Sequence, residues 1–204
     1  MDHIFKTREE AAIAAAQRIG EALLRRLDGQ GAASLVVSGG TSPAGVFAEL
    51  AKTTLNWPGV HVILSDERWV PPEHEDSNEK LVRETLLAGE AQDASLLPVY
   101  RPDVTIEDRC SELNEELLQA PFPFACVLLG MGEDGHVASL FPDAENLQDG
   151  LDVDSRQLCI PVQTAASPHP RVSLTLSALS RSDEIVLLIF GDAKRDVYET
   201  AKTS

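Results

Sequence analysis

Hydrophobic and polar positions alternate along the chain in two different patterns. Short, nearly continuous apolar runs are typical of strands buried on both faces, and between them lie segments in which apolar residues recur every three or four positions. The runs are SLVV, VHVIL, FACVLL, QLCIPV, RVSLTLSAL and EIVLLIF, and the periodic segments predict helices over residues 7–27, 42–53, 77–89, 105–120 and 192–203. This alternation predicts an α/β fold, a three-layer α/β/α arrangement with a mostly parallel, Rossmann-like sheet. We expect residues 1–204 to form a single domain.

A few residues predict where these elements begin and end. Thr7 and Glu10 have the spacing of a capping box at the start of the first helix, and Gly29 and Gly31 are expected to end it. Pro43 suits the first turn of the second helix. The run over residues 171–179 predicts a strand throughout its length.

The charge balance restricts the classes of partner. The 17 basic and 33 acidic residues give a formal net charge of −16, which opposes binding to nucleic acids and to anionic membranes. An anionic substrate would therefore have to be captured by a few local cations. The small number of scattered cysteines, the charged N-terminal segment and the short apolar runs predict a soluble, cytoplasmic protein, which we expect to be a monomer or a weak homo-oligomer.

In a parallel α/β sheet, ligands bind at the carboxyl ends of the strands, and the first such end carries the motif SGGTSP. The backbone amides of Gly39 and Gly40 can face an oxyanion because neither residue has a side chain, and Thr41 adds a hydroxyl donor. Glycine pairs before helices recur in phosphate-binding loops, so we favour a phosphate site here over a plain serine-capped turn.

Two other strand ends carry cations. In SDERWVPP, Arg68 can bind a phosphate or carboxylate through two hydrogen bonds, and Asp66 can orient that guanidinium or accept a substrate hydroxyl; a purely structural Asp66–Arg68 ion pair is an equal alternative. In GDAK, Lys194 lies in the first turn of a helix, where a cation opposes the helix dipole. A bound anion would explain that position, although a solvated lysine explains it as well when the motif is taken alone.

The loop LLGMGEDGHVASLFP contains G-x-G-x-x-G, the fingerprint of dinucleotide-binding turns. Three features argue against a nicotinamide cofactor: Pro142 would disrupt the long helix that must follow, the acidic residues at the right distance lie in a polar loop, and the motif occurs in mid-chain. What remains is a glycine-rich turn that holds Asp134 and His136 at a strand end, which favours acid–base catalysis by the histidine. His3, His61, His74 and His169 receive no role, and the spacing of histidines and cysteines predicts no metal site.

Five motifs, in the order VVSGGTSP, SDERWVPPEHEDSN, LLGMGEDGHVASLFP, RVSLTLSAL and GDAK, closely resemble those of the 6-phosphogluconolactonase family. The resemblance extends from about residue 34 to residue 194. It implies an α/β/α fold shared with glucosamine-6-phosphate deaminases. It also implies hydrolysis of 6-phospho-D-glucono-1,5-lactone to 6-phospho-D-gluconate, a step of the oxidative pentose phosphate pathway, without a cofactor.

The resemblance also assigns expected roles to individual residues. His136 corresponds to the general base that activates water to attack the lactone carbonyl without a covalent intermediate, and Asp134 corresponds to a loop aspartate that shapes the site. The positions that would hold the phosphate or the sugar are Gly39, Gly40, Thr41, Asp66, Arg68, Arg171 and Lys194. Which cation faces the phosphate and which stabilises the oxyanion stays open.

Two alternatives have the same expected fold. Deaminases that resemble this loop have a glutamate five residues after the histidine, where this chain has Phe141, a residue that cannot relay protons. A non-catalytic sugar-phosphate sensor is disfavoured by the negative charge, by the absence of a DNA-binding motif and by the presence of both Asp134 and His136. Similar proteins usually continue with more of the last helix and a final strand, and we expect these to be missing from this sequence.

Overall fold

In the computed structural model, which describes residues 1–203, eight strands form two sheets. The strands are β1 Ala33–Val37, β2 Val60–Leu64, β3 Asp66–Arg68, β4 Ser95–Leu96, β5 Cys126–Leu129, β6 Cys159–Val162, β7 Arg171–Leu174 and β8 Ile185–Leu187. The five-stranded central sheet has the order β4-β2-β1-β5-β8, and all of its neighbouring strands are parallel. Every residue of β1 and β5 is buried, as expected for strands covered on both faces.

The helices surround this sheet. They are α1 Arg8–Gln30, α2 Ala44–Leu50, α3 Asn78–Thr85, α4 Ile106–Gln119, α5 Leu147–Leu151, α6 Leu176–Ser180 and α7 Asp192–Ala201, with short 3-10 turns at Trp57–Gly59 and Gly89–Asp93. Helix α1 packs against α2 and also against β1 and β5, whereas α4 packs against β6. The mostly parallel sheet flanked by helices confirms the predicted fold class.

The second sheet is antiparallel, with the order β3-β7-β6. Ser65 alone separates β2 from β3 and belongs to both sheets through its backbone. Its N–H donates to the carbonyl of Val37 (2.8 Å), and its carbonyl accepts from the N–H of Leu174 (2.8 Å). The sequence pattern did not predict this second sheet; residues 163–170 are too few for a crossover, so β6 and β7 must run antiparallel.

Several predicted boundaries are confirmed and others are wrong. Thr7 and Glu10 form the capping box, and Gly31 ends α1 with a φ of 73°, but Gly29 lies within the helix. The strand predicted over residues 171–179 ends at Leu174. Thr175 then caps α6, its side chain accepting a hydrogen bond from the N–H of Ala178. The capping ability of threonine outweighs the apolar run there.

None of the helices in residues 1–203 has the length and hydropathy needed to cross a membrane.

Candidate active site

The order of the central strands places the candidate site at the carboxyl ends of β1 and β5. From β1 the chain proceeds outward to β2 and β4, and it then returns to the other side of β1 to form β5 and β8. In α/β proteins, ligands bind at the carboxyl ends of the strands where the strand order reverses in this way. The two loops meet closely, since a Cβ atom built on Gly130 would lie 3.9 Å from Oγ of Ser38. The glycine turn after β1 and the Asp134–His136 loop after β5 are therefore neighbours.

Asp134 and His136 form a hydrogen-bonded pair, with 2.6 Å between Oδ1 of the aspartate and Nδ1 of the histidine. The turn is closed by the N–H of Gly132, which donates to the carbonyl of His136 (2.8 Å), and Gly135 adopts a φ of 88°. A Cβ atom at Gly132 would overlap both interacting side-chain atoms of the pair. Glycine is therefore required at position 132 to make room for the pair, and at position 135 for the backbone conformation.

The charge state of Asp134 determines which imidazole nitrogen is available. Burial disfavours the ionised carboxylate, but the hydrogen bonds from the His136 side chain and backbone outweigh that effect and lower the pKa of Asp134. An ionised carboxylate can only accept, so Nδ1 must carry the shared proton. The lone pair of neutral His136 is then on Nε2, and no residue within 1–203 is hydrogen-bonded to that atom. This is the tautomer required to take a proton from water.

The imidazole of His136 lies against the ring of Phe141, with 4.1 Å between the ring centroids and 34° between the planes. Phe141 is buried, and the guanidinium of Arg171 lies 5.3 Å from its centroid. The aromatic ring therefore contacts both the candidate base and a candidate substrate-binding cation.

Asp66 and Arg171 belong to one buried network with Ser139. The hydroxyl of Ser139 donates to Oδ2 of Asp66 (2.6 Å), and Nη1 of Arg171 lies 3.3 Å from the same oxygen. Ser167 accepts from Nε of Arg171 (2.9 Å). The structural pair considered between Asp66 and Arg68 does not form; Asp66 pairs with Arg171 instead, because β7 lies directly beside β3.

Arg68 and Arg171 lie directly opposite each other on the neighbouring strands β3 and β7 of the second sheet. Burial lowers the pKa of Arg171 and the nearby Arg68 lowers it further, while Asp66 opposes both effects. Arg68 donates to the carbonyl of Asp76, but its Nε is buried without a hydrogen-bond partner in the described chain, as is Oγ of Ser38. Like charges opposite each other are unfavourable, so this arrangement suits an anion bound between or beside the two guanidinium groups.

The glycine turn after β1 is shaped by Asn78, a residue for which the sequence pattern predicted no role. Gly40 has a φ of 90°, and a Cβ atom at Gly39 would overlap the side chain of Asn78. Asn78 also donates from Nδ2 to the carbonyl of Asp66 (2.8 Å), which connects the turn to the arginine network. Thr41 is exposed on the same turn, available to a ligand.

Glu67 fixes the segment that carries Asn78. Its buried carboxylate accepts from the N–H groups of Arg68, Asn78 and Glu79 and from the hydroxyl of Ser77, at 2.7–3.1 Å. Burial raises the pKa of Glu67, and the four donors oppose that shift. Ser139 escaped prediction because its partner Asp66 is 73 residues away, and Glu67 because its role depends on the fold of the following loop. The only available signal was that both occur inside the motifs.

Lys194 is the predicted site residue that the structure connects least directly to the others. It is half-buried in the first turn of α7, and no hydrogen bond or ion pair of its side chain occurs within residues 1–203. One turn later on the same helix face, Val197 lies close to the Asp134 loop, 3.4 Å from a Cβ atom built on Gly135. Helix α7 thus borders the loop, with Lys194 on the same side as this contact.

Comparisons with known proteins identify the family of the chain. A sequence profile of the family described as glucosamine-6-phosphate isomerases/6-phosphogluconolactonase matches residues 6–204. The 6-phosphogluconolactonase of Caulobacter vibrioides is 44% identical over 197 residues, which cover 96% of this chain and 84% of that protein. The 6-phosphogluconolactonase of Mesorhizobium japonicum is 40% identical over 197 residues, with coverages of 97% and 83%.

Solved structures resemble the chain over a similar extent. A 6-phosphogluconolactonase from Shewanella baltica superposes with a TM-score of 0.92 at 37% identity, covering 97% of this chain and 84% of that one. A monomeric glucosamine-6-phosphate deaminase has a TM-score of 0.75 at 17% identity, a likeness of fold alone. The chain therefore belongs to the glucosamine-6-phosphate isomerase/6-phosphogluconolactonase family.

Proposed function

We propose that this chain is an enzyme that hydrolyses 6-phospho-D-glucono-1,5-lactone to 6-phospho-D-gluconate, with water activated by His136 and without a covalent intermediate. Family membership and relatives named 6-phosphogluconolactonase at 36–44% identity support the reaction. The observation that carries the mechanism is the Asp134–His136 pair, which leaves Nε2 of the histidine as a lone-pair acceptor at the carboxyl end of β5.

The reaction needs one base that later acts as an acid. Nε2 of His136 takes a proton from water as the water oxygen bonds to the lactone carbonyl carbon, and the carbonyl oxygen becomes an oxyanion. Asp134 stabilises the resulting imidazolium through the proton on Nδ1. As the tetrahedral intermediate collapses, the bond from the carbonyl carbon to the ring oxygen breaks, and the imidazolium protonates that oxygen. Within residues 1–203 no serine, threonine or cysteine is hydrogen-bonded to the His136 ring, which supports direct attack by water.

The cations supply binding and electrostatic stabilisation. We assign the substrate phosphate to the amides of Gly39 and Gly40, the hydroxyl of Thr41, and the side chains of Arg171 and Lys194. Asp66 holds Arg171 in place and is a candidate acceptor for a sugar hydroxyl. The unpartnered Nε of Arg68 makes that residue the candidate for the developing oxyanion. No cofactor is required by this scheme.

A coupled assay tests the proposal. Glucose-6-phosphate dehydrogenase generates the lactone, and the formation of 6-phosphogluconate is followed with and without the protein in the presence of EDTA. The wild type should accelerate hydrolysis above the spontaneous rate, and His136→Ala should lose most of this acceleration. His3→Ala, which removes an exposed histidine that has no role in the proposed site, is the matched control and should retain it.

The assay also separates the alternatives. A folded wild-type protein that binds 6-phosphogluconate but gives no acceleration would overturn the proposal in favour of the sugar-phosphate sensor. Acceleration that survives in His136→Ala would retain the lactonase reaction and remove His136 as its base. Production of ammonia from glucosamine 6-phosphate would instead indicate a deaminase.

A further inference from the structure

We propose that His74, Asp76 and His169 form a binding site for a zinc-like divalent cation such as Zn²⁺ or Co²⁺. These residues lie outside the proposed lactonase machinery, and no sequence motif connects them. Two belong to the loop that follows β3, and the third precedes β7. The proposal goes beyond the hydrolytic function and does not depend on it.

The three side chains converge in the folded chain. Nε2 of His169 lies 3.1 Å from Oδ2 of Asp76, and Nδ1 of His74 lies 3.9 Å from the same oxygen. The two imidazole centroids are 5.4 Å apart, and one ligand atom from each of the three residues falls within 4.8 Å of the others. Two ligands of a tetrahedral zinc ion, each bound at about 2.0–2.1 Å, lie about 3.3 Å apart. The His169–Asp76 distance already matches this spacing, and only His74 must move closer.

The donor set favours a particular class of cation. Two neutral imidazoles and one carboxylate are ligands typical of Zn²⁺ and Co²⁺, whereas Mg²⁺ and Ca²⁺ favour oxygen ligands. Three protein ligands leave a fourth tetrahedral position for water or for an anion. The side chains of His74, Asp76 and His169 are 38%, 49% and 27% exposed, so a cation can reach them from solvent.

Hydrogen bonds already restrain the backbone around the three ligands. The carbonyl of Asp76 accepts from the guanidinium of Arg68, and its N–H donates to Nδ1 of His74 (3.1 Å). Ser167 donates to the carbonyl of His169 (3.1 Å) and also accepts from Nε of Arg171. This anchoring reduces the ordering required on binding. A cation coordinated by Nδ1 of His74 would replace the hydrogen bond from the Asp76 amide.

The residues around the three ligands carry charges of both signs, which have opposite effects on cation binding. Arg68 brings a positive charge close to the Asp76 backbone and opposes a cation. Glu73 and Glu75, which flank His74 in the same loop, oppose the effect of Arg68, as does the net charge of −16. The carboxylate of Asp76 is itself a ligand and neutralises part of the cation charge.

Direct metal binding tests the site. Protein treated with a chelator and dialysed is titrated with Zn²⁺ by calorimetry and, separately, with Co²⁺ while the visible absorption of the cobalt ion is recorded. One equivalent should bind, with the intense visible bands of four-coordinate Co²⁺. Loss of an outer-shell partner weakens metal binding by about 10–100-fold, so His169→Ala and Asp76→Asn should weaken Zn²⁺ binding at least as much.

The control variants distinguish loss of the cation site from loss of the fold. His3→Ala should keep the wild-type affinity and the cobalt spectrum, and both cluster variants should keep the wild-type circular dichroism, since their side chains are partly exposed. Zn²⁺ should raise the thermal unfolding temperature of the wild type and of His3→Ala, but not that of the His74→Ala/His169→Ala double variant. Equal Zn²⁺ affinity in the wild type and both single cluster variants, or the absence of a one-equivalent binding event, would overturn the proposal whatever the outcome of the lactonase assay.

Discussion

The pairs His136–Asp134 and His169–Asp76 are alike in chemistry and differ in construction. The first pair comes from a single glycine turn, with two residues of separation and 2.6 Å between Nδ1 and the carboxylate. The second joins loops 93 residues apart, with 3.1 Å between Nε2 and the carboxylate. In the first pair the aspartate receives a single imidazole, which packs on Phe141; in the second, the aspartate lies between two imidazoles.

This difference predicts different chemistry for the two pairs. An imidazole bonded through Nδ1 to an ionised carboxylate presents Nε2 to water, which suits proton transfer. A carboxylate and the two imidazoles beside it can direct one lone pair each toward a common point, which suits a cation. Histidine next to aspartate is therefore not a functional signature by itself. The number and the direction of the side-chain nitrogen and oxygen atoms around the pair determine whether it suits proton transfer or cation binding.

The largest expected effect is a loss of kcat, and it should occur in a variant of the first pair but not of the second. His136→Ala should lower kcat by about 10²–10⁴-fold, since a positioned base contributes about that much, and should leave the Zn²⁺ affinity at the wild-type value. His169→Ala should change kcat by a few-fold at most while it weakens Zn²⁺ binding. Both variants are compared in the coupled assay and by calorimetry. Equal losses of kcat in the two variants would contradict the distinction.

Gly132→Ala tests whether the geometry of the first pair matters. The added methyl group would overlap both side chains of the pair and displace them, so kcat should fall by about 10²-fold, near the lower limit for loss of a positioned base. Gly29→Ala is the matched control, because a Cβ there meets nothing within 4 Å and alanine in a helix stabilises by about 0.5–1 kcal/mol. The control should keep kcat, and retention of kcat in Gly132→Ala would show that the pair tolerates displacement.

Arg171→Ala should act mainly on substrate binding. Loss of a charge-assisted hydrogen bond costs about 1.5–3 kcal/mol, so KM should rise about 10–100-fold with a smaller change in kcat. Lys194→Ala should raise KM less, because no hydrogen bond or ion pair within residues 1–203 holds the Lys194 side chain in place. Arg181→Ala, which removes an exposed arginine at the C-terminal end of α6, serves as the control. A KM unchanged in both site variants would contradict the phosphate assignment, and a loss confined to kcat would move Arg171 to the oxyanion.

The smallest expected effect is on the free energy of unfolding and its dependence on pH. The hydrogen bonds from His136 lower the pKa of Asp134 below its usual value of 3.8, so their contribution to stability is complete above about pH 4 and is lost as the pH falls through the lowered pKa. Asp134→Asn should therefore be less stable than the wild type at neutral pH, by at most about 1 kcal/mol because the pair is partly exposed, and the gap should close in acid. Urea unfolding at both pH values measures the gap. A gap that widens on acidification would contradict this sign.

Local features of the site could be predicted from the sequence because they depend on neighbouring residues. The glycine-rich turn indicated that Asp134 and His136 lie together at a strand end, and the family and the fold class are confirmed. The Ser139–Asp66–Arg171 network could not be predicted in the same way. Its members are separated by 73 and 105 residues, and they meet only because β7 pairs with β3.

The errors in the predicted secondary structure have a similar cause. β3 has three residues and follows β2 after Ser65 alone, so the pattern reads as one strand that continues into a loop. Thr175 interrupts a run that looks like a strand, and the cap that it forms depends on a backbone that has already turned. The cluster of His74 and His169 escaped notice because neither residue has a metal-binding spacing within its own segment.

The pairing of β3 with β7 has a consequence for how this site can change over evolutionary time. In this register Arg171 is opposite Arg68, and Ser173 is opposite Asp66. A shift by one residue would turn the arginine to the other face of the sheet, while every residue of the site would still be present. An insertion in a surface loop that carries no residue of the site is compatible with this pairing, whereas a single deletion within either strand would shift the register. Under the proposed assignment, substrate recognition depends on the alignment of these two strands as well as on the identity of their residues.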